Sequence, residues 1–234
     1  GCIRILAHSR WLIRTSDTVV KYLLCFMLML CTPWALASTI STKVLHLPHP
    51  PNGSIVHMAD SKQLAVSGFS QFARWLSLVE LTDYSSRLLP IPDDAQFFSQ
   101  AKLAGKRGST LVFLGLGGVS HLSADHSRAE RIIAAESLYR VLDQNRLREA
   151  DFVIELGGEL SDFLLADFQH THLYRQQGDG SFRHFALNIP ALMRTWRESP
   201  DYTPRRHYIV DANADDRADL VFVWQGKFQL FLQQ

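Results

Sequence analysis

The chain has 234 residues, 47% of them hydrophobic and 20% charged, with a formal net charge of +1. That composition excludes a disordered polar chain. The near-neutral balance, with no basic stretch interleaved with aromatics, argues against nucleic acid as a partner.

Residues 1–37 differ in character from the rest. Lys21 precedes an apolar run, Tyr22 to Cys31, which is followed by the breaker Thr32-Pro33 and then by Ala35-Leu36-Ala37 before Ser38. A positive start, a short apolar stretch and a small-x-small site are the order of a secretory signal, predicted as a helix with cleavage near 37/38. The apolar run is about half the ~20 residues that a membrane-spanning helix needs, so no membrane span is expected after cleavage. Leu28-Met29-Leu30 before Cys31 lacks the small residues of a lipoprotein signal. All three cysteines (Cys2, Cys25, Cys31) fall in this leader. The mature segment, 38–234, therefore has no disulfides, which fits a bacterial periplasm or surface. It carries 20 basic against 22 acidic residues, because four of the 24 basic residues and one of the 23 acidic ones lie in the leader.

Strand-like runs rich in Val, Leu, Phe and Trp, bounded by Gly, Asp and Asn, then recur. Gln63–Phe69 followed by Arg74–Leu81 is the first pair, and Thr110–Leu114 followed by Val119–Leu122 the second. Residues 128–149 have the propensity of an amphipathic helix. Their place in the repeat predicts instead a strand around Ser137–Leu142 and a helical turn at Asn145–Glu149. The third and fourth pairs repeat at an offset of 57 residues: Asp162–Ala166 on Asp219–Val223, and Leu173–Gln177 on Leu230–Gln234. After the third pair, Gly178-Asp179-Gly180-Ser181-Phe182 reads as a hairpin turn, and Trp196–Tyr202 as an inter-strand insertion. Four units about 50 residues apart predict an all-β chain, a partial β-propeller of four blade-like units cut from a longer protein.

The sharpest motif is Asp211-Ala212-Asn213-Ala214-Asp215-Asp216-Arg217-Ala218-Asp219, entering Leu220-Val221-Phe222-Val223. Oxygens at loop positions 1, 3, 5 and 9, with the carbonyl of position 7, suit a hard cation, calcium above magnesium. The ligand set is Asp211, Asn213, Asp215, the Arg217 carbonyl and Asp219. An EF-hand is excluded, because position 12 is Phe222 and the following segment reads as strand. Position 6 normally wants Gly for its positive φ and here it is Asp216, a departure that the loop is expected to keep with some strain because Asp tolerates that conformation better than most residues. The matching stretch of the third unit keeps only Glu155, Glu159 and Asp162, out of phase, and reads as a turn without metal.

This loop and the 178–182 hairpin resemble the FG-GAP/VCBS repeat, a family similar to the integrin-α-type β-propeller. The resemblance implies a blade-stabilising calcium, a secreted, periplasmic or surface setting, and a non-catalytic binding or adhesion role toward a protein or carbohydrate. The alternative is the propeller portion of a secreted enzyme, such as a polysaccharide-active hydrolase, with its catalytic part elsewhere. The sequence itself shows no nucleophile elbow, zinc-protease motif or close acid pair outside the loop. His170 and His172 share one strand face, half of a zinc site with no evident third ligand, and a solvated face is expected there. Leu114-Gly115-Leu116-Gly117-Gly118 has the wrong glycine spacing for a nucleotide loop and reads as a hairpin turn. Trp75, Trp196 and Trp224 read as sheet-packing residues.

Overall fold

The polar breaks between the apolar runs are where the chain reverses, and each reversal closes an antiparallel strand pair. A computed structural model describes residues 44, 46–58, 60–123, 125–135, 147–167, 169–196, 199–203 and 205–233. The leader and the strand expected at Ser137–Leu142 lie outside the described residues. The chain divides into residues 1–44 and 45–234, and every described strand belongs to the second unit.

Three four-stranded antiparallel meanders and one three-stranded sheet succeed each other along the chain. The first is β1 (Ile55–Met58), β2 (Gln63–Ser70), β3 (Ala73–Glu80) and β4 (Ser86–Leu89). The second is β5 (Ala95–Lys102), β6 (Ser109–Gly115), β7 (Gly118–Leu122) and β8 (Ala129–Ala134), with β9 (Arg148–Glu149) added parallel to β5. The third is β10 (Val153–Ile154), β11 (Asp162–Ala166), β12 (Thr171–Gln176) and β13 (Phe182–Leu187). A separate hairpin, β14 (Leu192–Trp196) with β15 (Ser199–Thr203), fills the expected insertion. The fourth sheet is β16 (His207–Val210), β17 (Asp219–Trp224) and β18 (Lys227–Phe231). The described residues contain no helix, and therefore none long and apolar enough to cross a membrane.

Two-residue turns with positive φ at both positions close the central hairpins of the first and fourth sheets: Gln71 and Phe72 (50° and 64°), and Gln225 and Gly226 (51° and 71°). That handedness matches the twist of the strands they join. Leu116-Gly117 closes the corresponding pair in the second sheet, so the glycine run is a hairpin turn.

Successive sheets pack face to face, and alternation along each strand divides its side chains between two cores. Leu111 and Phe113 of β6 join Val56, Leu76 and Leu78 of the first sheet. Val112 and Leu114 of the same strand face Phe163 and Leu165 of β11. Leu164, Leu173 and Leu187 meet Leu220 and Phe222 of the fourth sheet. Burial on both faces explains why these strands read as unbroken apolar runs.

The repeat is one of hydrogen-bond register as well as sequence. Leu164 pairs with Leu173 and Phe163 with Tyr174; 57 residues on, Val221 pairs with Leu230 and Leu220 with Phe231. Asp162 Oδ1 accepts the Gln176 amide at 2.8 Å, and Asp219 Oδ1 accepts the Gln233 amide at 2.8 Å.

In the described parts of 128–149, residues 128–135 and 147–149, the structure holds strands that the sequence did not announce. One is Ala129–Ala134, where Ile133 enters the core beside Val119. Arg148–Glu149 is a strand rather than part of a helical turn. Leu147 is fully buried between the first two sheets, and its carbonyl accepts the Ser67 hydroxyl. The Glu149 amide donates to Ser54 Oγ. Tertiary anchoring of Leu147 thus outweighs local helix propensity.

Candidate functional site

The loop between β16 and β17 begins at Asp211. Val210 pairs with Asp219, whereas Ile154 pairs with Asp162 in the third sheet, so this loop is one residue longer than its counterpart. The shorter loop cannot hold the same ligand spacing. Its Glu155 faces Lys102 at 3.7 Å, and Asp162 is spent on the Gln176 amide and on Arg175. Burial raises the Asp162 carboxyl above its ordinary pKa, against the lowering effect of the Gln176 amide and Arg175.

In the longer loop the four side chains named from the sequence fold back on their own backbone. Asp211 Oδ1 accepts the Asp215 amide at 3.1 Å, and its Oδ2 accepts that of Asp216 at 2.9 Å. Asn213 Oδ1 accepts the Asp215 amide at 3.2 Å, and Asn213 Nδ2 donates to Asp215 Oδ2 at 3.0 Å. The Arg217 amide donates to Asp215 Oδ1 at 3.0 Å. Asp219 is fully buried at the mouth of the strand, with Oδ2 on the Ala212 amide and Oδ1 on the Gln233 amide. Asp216 has φ 63°, the conformation that position 6 demands, and Ala214 at position 4 has φ 61°.

The result is a tightly wound loop of hard oxygen donors, chemistry that suits a hard cation over a softer one. Asp211, Asp215 and Asp219 do not, however, bring three carboxylate oxygens within 4.8 Å of one another. Ligation would have to draw them inward.

Among the described residues, the one group of three His, Cys, Asp or Glu ligand atoms that does meet this spacing is Asp167, His170 and His172, at the β11–β12 turn. The sequence supplied the two histidines but not the third member. Asp167 stands diagonally across the hairpin from His172, and register revealed it. In place of the expected solvated strand face, His172 Nε2 lies 2.6 Å from Asp167 Oδ2. Burial pushes the Asp167 carboxyl up, but the hydrogen bonds from His172 and from the amides of His170 and Gln169 outweigh it, and the pKa is lowered.

A cleft of about 560 Å³ opens at the border of the third and fourth sheets, with Arg175 and Arg183 among apolar residues that include Leu173, Phe185 and Phe231.

No protein-family model matches the chain, and no curated protein matches it. Among solved structures, a chain of a mutant Tc holotoxin pore from Photorhabdus luminescens is similar at 18% identity and a TM-score of 0.36, covering 80% of this chain and 9% of that one. This chain therefore spans less than a tenth of the toxin chain, and a likeness this slight carries no argument about fold or function.

Proposed function

We propose that residues 45–234 are blade units of a secreted, calcium-binding β-propeller of the FG-GAP/VCBS type, acting as a non-catalytic binding or adhesion scaffold. The observation that carries this reading is the 57-residue register repeat. Two successive sheets share strand pairing and the buried Asp that accepts an amide at the end of the next strand. Each packs on its neighbour through alternating side chains, the stacking by which blades succeed one another in a propeller.

The outer face of the fourth sheet supports the same reading. Leu230 and Phe228 share a face with Val221, and Val221 and Leu230 occupy the positions of Leu164 and Leu173, which the fourth sheet covers. Leu173 is 7% exposed and Leu230 is 48%. With Tyr208, Val210 and Val223 the face is apolar and open, shaped like the surface that the third sheet offers to the fourth. Its occupant in this reading is another sheet of the same kind.

In this reading calcium sits in the 211–219 loop, held by Asp211, Asn213, Asp215, the Arg217 carbonyl and Asp219. It ties the loop to the strand entrance, so its role is structural. The test is calcium content by mass analysis together with melting in calcium and in EGTA. A chain that carries no calcium and melts identically in both would end the proposal.

A further inference from the structure

Asp167, Gln169 and His170 form the turn that joins β11 to β12, and His172 lies one residue into the strand. The Asp167 amide donates to the His170 carbonyl at 2.8 Å, closing the turn. Asp167 Oδ1 accepts the amides of Gln169 at 2.7 Å and His170 at 2.6 Å. These bonds fix the carboxylate and aim Oδ2 at His172. His170 Nδ1 stands 3.8 Å from Oδ1, and the two imidazole centroids are 6.0 Å apart. All three side chains are partly exposed, so an ion can reach them.

We propose that Asp167, His170 and His172 form a binding site for a divalent transition-metal ion, of which zinc is the representative, separate from the 211–219 loop. Two imidazoles and a carboxylate suit zinc, cobalt, nickel or copper rather than calcium or magnesium. Tetrahedral zinc with ligands near 2.1 Å places them about 3.4 Å apart. His172 Nε2 stands 2.6 Å from Asp167 Oδ2 and His170 Nδ1 3.8 Å from Oδ1, and one ligand atom from each of the three residues lies within 4.8 Å of the others. Ligation would open the His172–Asp167 contact and draw His170 in, with the metal taking the place of the hydrogen bond between His172 and Asp167.

The surroundings support the same assignment. With Nε2 on the metal, His172 carries its proton on Nδ1, which lies 2.9 Å from His184 Nε2. Tyr174 stacks on His184, with centroids 4.7 Å apart and planes 19° from parallel. A ligating imidazole held through its second nitrogen is the usual support of a metal site. The hairpin does not need the two histidines to close. At the same turn of the fourth sheet, 57 residues on, Trp224 and Lys227 stand where Asp167 and His170 do, and Gln229 replaces His172. Three protein ligands leave a coordination position for water or for a donor from a partner.

The deciding experiment uses the metal-stripped full chain in saturating calcium, titrated with zinc chloride by calorimetry and with cobalt(II) by visible absorption. One equivalent of zinc and the intense bands of tetrahedral cobalt are expected. His170→Gln and His172→Gln should each weaken zinc binding at least tenfold, and His184→Gln by about 10–100-fold, with unchanged far-UV circular dichroism. Should a variant fail to fold, the cobalt spectrum of the unaltered chain still decides. Absence of tetrahedral bands at stoichiometric cobalt, or zinc bound as tightly by a folded His170→Gln/His172→Gln double variant, would overturn the proposal.

Discussion

The 57-residue repeat contains its own control for the calcium reading. Asp219 and Asp162 occupy one position in two sheets, and each accepts the amide that ends the next strand. Only Asp219 adjoins the oxygen-rich loop, and its second oxygen holds the Ala212 amide. Asp219→Asn keeps one acceptor and presents an NH₂ group to the other amide. That leaves one buried donor unpaired, a loss of about 1–3 kcal/mol. If calcium binds the native fold and is present at about 100 times its Kd, it adds about 2.7 kcal/mol more. For a domain of 150–250 residues each kcal/mol moves Tm by about 2–4 °C, so removing calcium should lower Tm by about 5–11 °C. Thermal melts of the unaltered chain, Asp162→Asn and Asp219→Asn, each in calcium and in EGTA, separate the two contributions. The unaltered chain and Asp162→Asn should lose the same calcium-dependent shift, while Asp219→Asn should have little left to lose. An Asp219→Asn protein with the full calcium shift would remove that carboxylate from the ligand set, and no shift in the unaltered chain would remove the ion.

Within the same loop, Ala214→Gly should raise stability by about 0.5–1 kcal/mol, because alanine at φ 61° is strained; Asp216→Gly should gain less, since Asp tolerates that conformation, and a loss of Tm on Ala214→Gly would contradict the backbone assignment. Leu173→Ala should cost about 2–5 kcal/mol in chemical denaturation, and Leu230→Ala well under half of that while its face stays open, so equal costs would mean that Leu230 is covered. Burial lowers the His207 pKa, against weaker raising effects of the Arg205 backbone and Asp151. The unfolded chain therefore takes up a proton near pH 6.5 that the folded chain refuses, and stability should fall as pH drops from 7.5 through that window. His207→Leu should flatten part of that slope, and an unchanged slope would count against His207 as its source.

Strand positions were legible wherever both faces of a strand are buried. Thr110–Leu114 and Asp162–Ala166 are continuous apolar runs because each feeds two cores, and such runs stand out in a sequence; Asp219–Val223 reads the same way although only Leu220 and Phe222 enter a core cluster. The edge strands did not stand out. Ala129–Ala134 buries little beyond Ile133, and its alternation is lost among residues with good helix propensity. The pairing of Arg148–Glu149 with β5 depends on one buried leucine, Leu147, and the bond from Ser67, which is 80 residues away in the chain. Nothing local announces a contact of that kind.

The two candidate sites show the same divide between local and long-range information. The donors of the 211–219 loop are contiguous, so their spacing alone suggested an ion, and the strained φ of Asp216 matches what position 6 of such a loop requires. The other cluster spans two strands. His170 and His172 share a face by the two-residue period, but Asp167 joins them only because the turn carries the chain back on itself, and His184 arrives from the next strand over, where His172 pairs with Ala186. A ligand set assembled by cross-strand register is invisible until the register is known. The 57-residue offset then makes it interpretable: Asp167 also holds its turn through the amides of Gln169 and His170, but the fourth sheet closes the same hairpin with Trp224 and Lys227 and has no histidine at either position.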